Sequence, residues 1–125
     1  MELVDRWRSL LTCYNEIACH LDRELQASHG ITMSEFETLD RLVETACDDC
    51  RMQDLQSGMY LSQSALSRTV ARLEKHGLAE RTMCAADRRG VFVKITDAGR
   101  DLHARARETH LAILAEHLDR APADA

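Results

Sequence analysis

Residues 61–78 read LSQSALSRTVARLEKHGL, a pattern typical of one capped amphipathic helix. Ser62 is a residue type that accepts a hydrogen bond at the start of a helix, and Gly77 is one that ends a helix in a left-handed conformation. Apolar side chains recur between them at helical spacing, which predicts a single buried stripe. The stripe consists of Leu66, Val70 and Leu73.

The face opposite this stripe carries polar and basic side chains, because a helix turns once in about 3.6 residues. Arginine, glutamine and serine can bond base edges or phosphates when such a helix lies in the major groove of a DNA duplex. A solvated helix face with ordinary surface charges explains the isolated pattern equally well. The candidate contact residues on or beside this face are Ser62, Gln63, Ser64, Ser67, Arg68, Arg72 and Lys75.

The segments on either side of this helix predict a winged helix-turn-helix. Residues 52–59 indicate a short helix, and a short helix, a tight turn and a longer capped helix form this motif. Residues 78–83 and 91–95 then alternate between apolar and polar side chains, which predicts two strands joined by residues 84–90. The two strands and their loop would form a β-wing.

The loop of the predicted hairpin carries two consecutive arginines. A hairpin tip of this kind can reach the narrower minor groove, whose negative potential attracts arginine. The alternative is a charged turn without a ligand. Asp87 is expected to support the loop by pairing with a nearby arginine such as Arg81. The candidate DNA contacts in the loop are Arg88, Arg89 and Gly90.

Long amphipathic helices are predicted at both ends, over residues 1–30 and 97–120. The apolar arc of the first is broad enough to pack against its own domain and a second chain. The expected dimer contacts are Leu3, Trp7, Leu10, Leu111, Leu114 and Leu118. The predicted fold class is mainly α with a small β-wing, a winged helix-turn-helix with long N- and C-terminal dimerisation helices. A single domain would span residues 1–125, with a DNA-binding core over 31–96 and the wing over 78–95.

The charges are unevenly distributed along the chain, whose net charge is −5. Residues 1–61 carry 5 basic and 12 acidic side chains, whereas residues 62–100 carry 8 basic and 4 acidic ones. A localised positive surface suits the binding of phosphates, which would repel a uniformly acidic protein. Chance variation in surface charge is the alternative explanation.

The composition favours a helical protein of the cytoplasm. Aromatic residues make up only 4% of the chain and there is 1 proline, a mixture less typical of β-sandwiches. We expect no secretory signal and no membrane partner, because no basic segment precedes an apolar run and no apolar segment approaches membrane-spanning length. The 5 cysteines are an odd number, which argues against a disulfide framework, and they are expected to be reduced.

Several segments between residues 52 and 99 together resemble the MarR-type regulators of transcription. They are 52–55 (MQDL), 61–68 (LSQSALSR), 72–78 (RLEKHGL), 87–90 (DRRG) and 95–99 (ITDAG). The resemblance implies a homodimer that holds two recognition helices over successive major grooves of a pseudo-palindromic operator, with the wings in the flanking minor grooves. It also implies repression or activation under the control of a small molecule, a metal or an oxidant.

This sequence differs from those of the MarR family at its C-terminal end. Members of the family usually continue with a further terminal helix that completes the dimer interface, whereas this sequence stops soon after Leu118. We expect the first and last helices to suffice for dimerisation, and the alternative is a dimer weaker than is usual in the family.

Four cysteines are candidate sensors. Cys47 and Cys50 have a spacing that lets two thiolates share one zinc ion, and Cys84 at the base of the wing could approach them. A fourth ligand is missing, so loop cysteines or a thiol switch are favoured over zinc, and we expect neither a metal nor a cofactor. The resemblance implies that a cysteine in the first helix, here Cys13, can sense peroxide, while an inert buried thiol is the favoured alternative.

Three histidines repeat every seven residues on the last helix, at His103, His110 and His117. Protonation or metal binding at such a row could switch an interface. Histidines that line a partly wet dimer seam or a ligand cleft are the favoured explanation.

The sequence therefore predicts a regulator that binds specific double-stranded DNA as a homodimer, with repression relieved by an unidentified small-molecule, metal or oxidant signal. One alternative is a winged helix domain that binds an acidic protein through Arg68, Arg72 and Arg88, and another is a cysteine-based redox or zinc sensor. An enzyme is not expected, because no nucleophile–base pair, phosphate-binding loop or pair of carboxylates at a strand end is evident.

Overall fold

A computed structural model describes residues 2–44, 50–84 and 87–118, with the backbone alone at residues 83–84 and 87–90. Its elements are α1 (Glu2–His29), α2 (Met33–Glu44), β1 (Cys50–Arg51), α3 (Met52–Ser57), α4 (Gln63–Lys75), β2 (Ala79–Cys84), β3 (Asp87–Ile95) and α5 (Asp97–Leu118). The strands form one antiparallel sheet in the order β1–β3–β2. This architecture confirms the predicted fold class, which is mainly helical with a small β-wing.

The chain divides into two compact units. One consists of Met1–Met33 with Arg105–Ala125, and the other of Ser34–Ala104. We call the first the terminal-helix unit, because its described elements are α1 and most of α5. We call the second the winged unit, because it contains the helix-turn-helix and the sheet.

The core of the winged unit is built from apolar side chains at helical spacing on α2, α3 and α4 and on alternate positions of β3. All three residues of the predicted α4 stripe are fully buried. Other fully buried side chains in this unit are Phe36, Leu39, Leu55 and Val93. Burial of each large apolar side chain contributes roughly 1.5–3 kcal/mol relative to exposure. Packing therefore fixes which face of α4 points inward.

Both predicted ends of α4 are confirmed. Ser62 Oγ accepts a hydrogen bond from the Ala65 N–H at 3.1 Å, as expected of a residue that caps a helix start. Gly77 has a φ of 73°, a left-handed conformation that side chains other than glycine rarely adopt. The length of α4 is thus set by local sequence at each end.

The strands of the wing extend further than the sequence predicted. β2 and β3 pair in register as far as Met83, after which an irregularity shifts the register and Cys84 pairs with Asp87. Residues 87–90, predicted as the loop, therefore belong to β3. The alternating pattern missed them because the hydrogen bonds of a strand pair join backbone groups, whatever the side chains are.

A short third strand precedes the helix-turn-helix. In β1, Cys50 lies opposite Val93 and Arg51 lies opposite Phe92. The guanidinium of Arg51 lies 5.3 Å from the centre of the Phe92 ring, within the range of a cation–π contact. Residue 50, predicted to lie in a polar break, is therefore part of the sheet.

Arg81 binds Glu74, a contact that the sequence did not predict, and its predicted pairing with Asp87 is not tested. Its Nε lies 2.8 Å from Glu74 Oε1, and its backbone N–H donates to Glu74 Oε2 at 3.1 Å. The side chain of Asp87, the predicted partner, lies outside the described residues. Glu74 can reach because it stands in the last turn of α4, close to the edge strand β2, whose outward N–H groups need acceptors. One carboxylate thus joins α4 to the wing.

The junction between β3 and α5 explains two residues of the ITDAG segment. Thr96 Oγ1 donates to the Gly77 carbonyl at 2.7 Å and accepts from the Gly99 N–H at 3.0 Å. A side chain at position 99 would overlap the Leu78 carbonyl oxygen, and its Cβ would lie 2.8 Å from Ile95 Cγ1. Threonine and glycine therefore hold α5 against the end of α4.

The terminal-helix unit buries only the second half of α1. Every residue from 2 to 16 is exposed, whereas Leu21 and Leu25 are buried. Asp22 accepts a hydrogen bond from the Met33 N–H at 2.8 Å, which fixes the turn after α1. In the described part of the chain, no helix combines the length and the apolar character needed to cross a membrane.

We expect the substitution Gly99→Ala to lower the free energy of unfolding by about 1–3 kcal/mol, because the new methyl group would displace a backbone carbonyl. Urea denaturation followed by circular dichroism at a fixed protein concentration measures the loss. The neighbouring Ala98 is exposed, so Ala98→Ser serves as the control and should change stability by less than about 0.5 kcal/mol. Equal stability of the Gly99→Ala variant and the wild type would contradict the packing described.

The pair of Glu74 and Arg81 predicts a pH dependence of stability. The hydrogen bond from the Arg81 side chain holds the pKa of Glu74 below its ordinary value of 4.5. The pair therefore contributes stability above that value, and the contribution disappears as the pH falls through the lowered pKa. Because the side chains are 36% and 32% exposed, we expect a contribution under about 1 kcal/mol at neutral pH.

The measurement compares the unfolding free energy of the wild type with that of Glu74→Gln between neutral and acidic pH. The difference should be largest at neutral pH and should shrink in acid. Arg81→Gln removes the same pair from its other side and should give the same profile. A difference that stays constant with pH would show that the pair is not ionic.

Candidate nucleic-acid interface

α4 presents to solvent the face that the sequence marked as a candidate contact surface. The exposed residues of this face are Gln63, Ser64, Arg68, Arg72 and Lys75, and Ser67 is half-buried beside them. The opposite stripe is fully buried, so the helix cannot rotate to hide its polar face. A regular helix of 13 residues has a diameter of about 10–12 Å with its side chains, close to the width of the major groove of DNA.

The hydroxyl groups of Ser62 and Ser64 lie close together at the start of α4. Ser62 is exposed, and its Oγ lies 3.3 Å from Ser64 Oγ while it accepts the Ala65 N–H. Capping occupies only an acceptor position of Ser62, so its hydroxyl hydrogen can still be donated. Ser62 can therefore cap the helix and donate to a phosphate at the same time.

Arg72 is partly held by its own helix. One of its terminal nitrogens, Nη2, lies 3.3 Å from Thr69 Oγ1, and Thr69 in turn donates to the Ala65 carbonyl at 2.9 Å. A guanidinium has five N–H donors. The contact with Thr69 thus orients Arg72 and leaves most of its donors directed to solvent.

The charge of this face is positive. Glu74 is the acidic residue of α4, and its carboxylate is bound by Arg81. The basic side chains of Arg68, Arg72 and Lys75 lie on the exposed side. The basic segment found in the sequence is therefore a basic surface in the winged unit, as binding to phosphates requires.

A cavity of about 250 Å³ lies between α3, the start of α4 and the sheet. Its lining residues are Arg51, Met52, Gln53, Gln56, Gln63, Ser67, Arg81 and Val91. Gln63 and Ser67 thus border a concave surface as well as the outward face of α4. The cavity adds polar groups from α3 and β1 to the candidate interface.

Three of the polar cavity residues, Arg51, Gln53 and Gln56, were not identified from the sequence. The helix α3 has 6 residues, fewer than two turns, so periodicity cannot assign its faces. The glutamines alone were a signal, since glutamine can bond base edges, but nothing local places them beside α4.

The wing residues Arg88, Arg89 and Gly90 lie within β3. The side chains of Arg88 and Arg89, like that of Asp87, lie outside the described residues. The contact of the wing with a minor groove therefore stays a prediction.

The candidate sensor cysteines have different surroundings. Cys13 is exposed on α1, and Cys50 is buried in β1, with its Sγ 3.7 Å from the Arg51 carbonyl oxygen. Cys47 and the side chain of Cys84 lie outside the described residues. The three explanations offered for Cys47, Cys50 and Cys84, which are plain loop cysteines, a thiol switch and a zinc site, therefore stay untested.

The three heptad histidines do not share one environment. His103 is only 5% exposed, its ring stacks on Phe36 with centres 5.3 Å apart, and its Nε2 lies 2.8 Å from Asp40 Oδ1. The row was expected to line a wet seam or a ligand cleft, but α2 covers it at this position. His110 and His117 are half-buried. Periodicity along α5 could not show this, because the covering residues come from another helix.

Most of the predicted dimer contacts are exposed in the single chain. Leu3 and Trp7 are 77% and 60% exposed. The other exposed members are Leu10, Leu111 and Leu118, whereas Leu114 is half-buried. A row of large apolar side chains in contact with water is typical of a surface that another molecule covers.

Known proteins with similar sequences and structures identify the family. The model of the MarR family matches residues 31–91. The crystal structure of AbsC, a MarR family transcriptional regulator from Streptomyces coelicolor, is 34% identical, with a TM-score of 0.85 over 95% of this chain and 81% of that chain. Another MarR family transcriptional regulator from Streptomyces coelicolor, solved in complex with DNA, is 34% identical, with a TM-score of 0.87 over 97% of this chain and 76% of that chain.

A curated relative with a similar sequence is also a transcriptional regulator. The uncharacterized HTH-type transcriptional regulator YdgJ of Bacillus subtilis (strain 168) is 31% identical over 78 residues, which is 62% of this chain and 46% of that protein. The match thus spans about half the length of that relative. The resemblance drawn from the helix-turn-helix and wing residues is confirmed, and the chain belongs to the MarR family of transcriptional regulators.

Proposed function

We propose that this protein binds specific double-stranded DNA as a homodimer and represses transcription until a small-molecule, metal or oxidant signal releases it. The exposed polar and basic face of α4 carries the proposal, because it stands opposite a fully buried stripe. The complex of its Streptomyces coelicolor relative with DNA supports the choice of partner.

The position of each side chain along α4 suggests its role. Recognition helices contact base edges mainly through their N-terminal residues. Gln63, Ser64 and Arg68 therefore read bases, Arg with guanine and Gln with adenine. Arg72 and Lys75 lie nearer the C-terminal end and contact phosphates, while Arg88 reaches the adjacent minor groove.

The terminal-helix unit supplies the dimer. Leu3, Trp7, Leu10 and Tyr14 follow one another at steps of four and three residues on α1, so they form one exposed apolar row. Two copies that pair these rows about a twofold axis bury them against each other. The resulting dimer presents two α4 helices to the half-sites of a pseudo-palindromic operator.

The signal acts on the dimer in this proposal. Cys13 is exposed on α1 between Leu10 and Tyr14 of the apolar row. Oxidation of this thiol would add polar oxygen atoms beside the apolar contact. When the dimer is weaker, a smaller fraction of the protein presents two α4 helices together. Operator occupancy then falls and transcription resumes.

We expect fluorescence anisotropy with a labelled duplex from the protein's own promoter region to give a Kd of roughly 10⁻⁸ M or tighter at physiological salt. Arg68→Ala should weaken binding by about 5- to 150-fold and relax the preference at one base pair, because a bidentate base contact is lost. Lys75→Ala should weaken binding to all sequences alike. It should also reduce the slope of the logarithm of the binding constant against the logarithm of salt concentration by about 1 per protomer. Arg88→Ala should abolish specific binding through loss of the wing contact.

Arg23→Ala is the matched control, since it removes the same charge from an exposed position on α1 outside the winged unit. It should leave the Kd within about twofold of the wild-type value, as expected of a surface change. Duplex binding that depends on neither salt nor Arg68 would refute DNA recognition by α4, and a lack of duplex binding would favour an acidic protein partner.

We expect Leu10→Asp to convert the protein to a monomer, because a charge in the apolar row cannot be buried unpaired. Sedimentation equilibrium should give twice the chain mass of 14.1 kDa for the wild type and the chain mass for the variant. Thr12 is exposed on the opposite side of α1, so Thr12→Asp adds the same charge and should remain dimeric. Dissociation of both variants, or of neither, would contradict the proposed seam.

A further inference from the structure

Two histidines from distant parts of the sequence meet in the terminal-helix unit. His20 lies on α1 and His117 on α5, and His20 Nδ1 is 2.9 Å from His117 Nε2. Their ring centres are 5.1 Å apart, and the ring planes are inclined by 75°. Both side chains are half-buried, so solvent reaches the pair.

The two facing nitrogens share a hydrogen bond, and they are close enough to become ligands of one metal ion. Imidazole nitrogen is the commonest metal ligand in proteins, and a zinc–nitrogen bond is about 2.0–2.1 Å long. Two such nitrogens around one ion are about 2.9 Å apart at a right angle and about 3.3 Å apart at a tetrahedral angle. The observed separation of 2.9 Å is close to both values, and binding requires each ring to tilt so that its lone pair points at the ion instead of at the other nitrogen.

We propose that His20 and His117 form a binding site for a divalent transition metal ion of the kind that imidazole suits, such as Zn²⁺ or Ni²⁺. His20 coordinates through Nδ1 and keeps its proton on Nε2, while His117 coordinates through Nε2 and keeps its proton on Nδ1. The ring that now donates the shared hydrogen bond changes tautomer through solvent. A neutral pair therefore binds the ion without a net change in protons or electrons.

The protein supplies two ligands to this site, and water fills the remaining positions. Among the residues that the structure describes, no group of three or more His, Cys, Asp and Glu side chains is placed to hold one ion. Structural zinc sites use four protein ligands. The site at His20 and His117 is therefore an exchangeable one, and it is separate from the cysteine cluster considered from the sequence.

A bound ion would join α1 to α5. The two ligands are 97 positions apart in the sequence, so the unfolded chain does not hold them together. An ion that binds the native state and not the unfolded chain raises the apparent stability with increasing concentration. The ion would thus act on the unit that carries the exposed apolar row.

The test is calorimetric titration of the full-length chain, without DNA, with ZnCl₂ and with NiCl₂. We expect one ion per chain at this site. His20→Gln and His117→Gln should each weaken its affinity at least about tenfold, the smallest loss seen even for residues that only support a metal ligand. His76→Gln is the control, because His76 is exposed at the end of α4, and it should leave the affinity unchanged.

Nitrogen NMR of the histidine side chains in the wild type keeps the proposal testable if a variant fails to fold. The ion should shift His20 Nδ1 and His117 Nε2 together. Unshifted nitrogens, an affinity that both glutamine variants retain, or a thiolate absorption band on addition of Co²⁺ with these nitrogens unchanged would overturn the proposal. The titration contains no DNA, so a failure to bind metal would not bear on the proposed function. The DNA-binding and sedimentation experiments test that function separately.

Discussion

The burial of one face of α4 is the constraint on which the winged unit depends. Leu66, Val70 and Leu73 pack into the core with no exposed surface, and their loss to solvent would cost several kcal/mol. The opposite face must then remain outside, whatever it carries. A helix so held has no freedom of rotation, which is what a surface that reads DNA edges requires. The buried face of α4 thus stabilises the winged unit, and the exposed face is the one proposed to recognise DNA.

The wing is connected to this helix through a few polar contacts. Glu74 binds both the backbone and the guanidinium of Arg81, and Thr96 joins the residue after α4 to the start of α5. Each contact is modest, because exposed ion pairs contribute little. Their value is geometric, since they fix the base of the hairpin against α4. In the proposed function, a displaced hairpin would change the distance between the wing and α4, the helix proposed to recognise DNA.

Local sequence predicted the parts of this fold that local rules govern. Ser62 and Gly77 set the ends of α4, and apolar spacing identified its buried stripe, because capping and periodicity act within a few residues. The end of the wing, the partner of Arg81 and the environment of His103 depend on groups from other elements. No periodicity encodes them. The same holds within the candidate interface, where the outward face of α4 was predicted but the glutamines of α3 were not.

The two units place different demands on the chain. The winged unit has a core of buried apolar side chains, whereas α1 leaves Leu3, Trp7 and Leu10 in water. If a second copy covers that row, the folded state becomes linked to protein concentration. In the proposed dimer, anything that strengthens or weakens the pairing would then change the fraction of the protein in which two α4 helices are held together. In the proposed function, control of operator binding would not require a signal to touch α4, because a change of the dimer equilibrium would alter DNA binding by mass action.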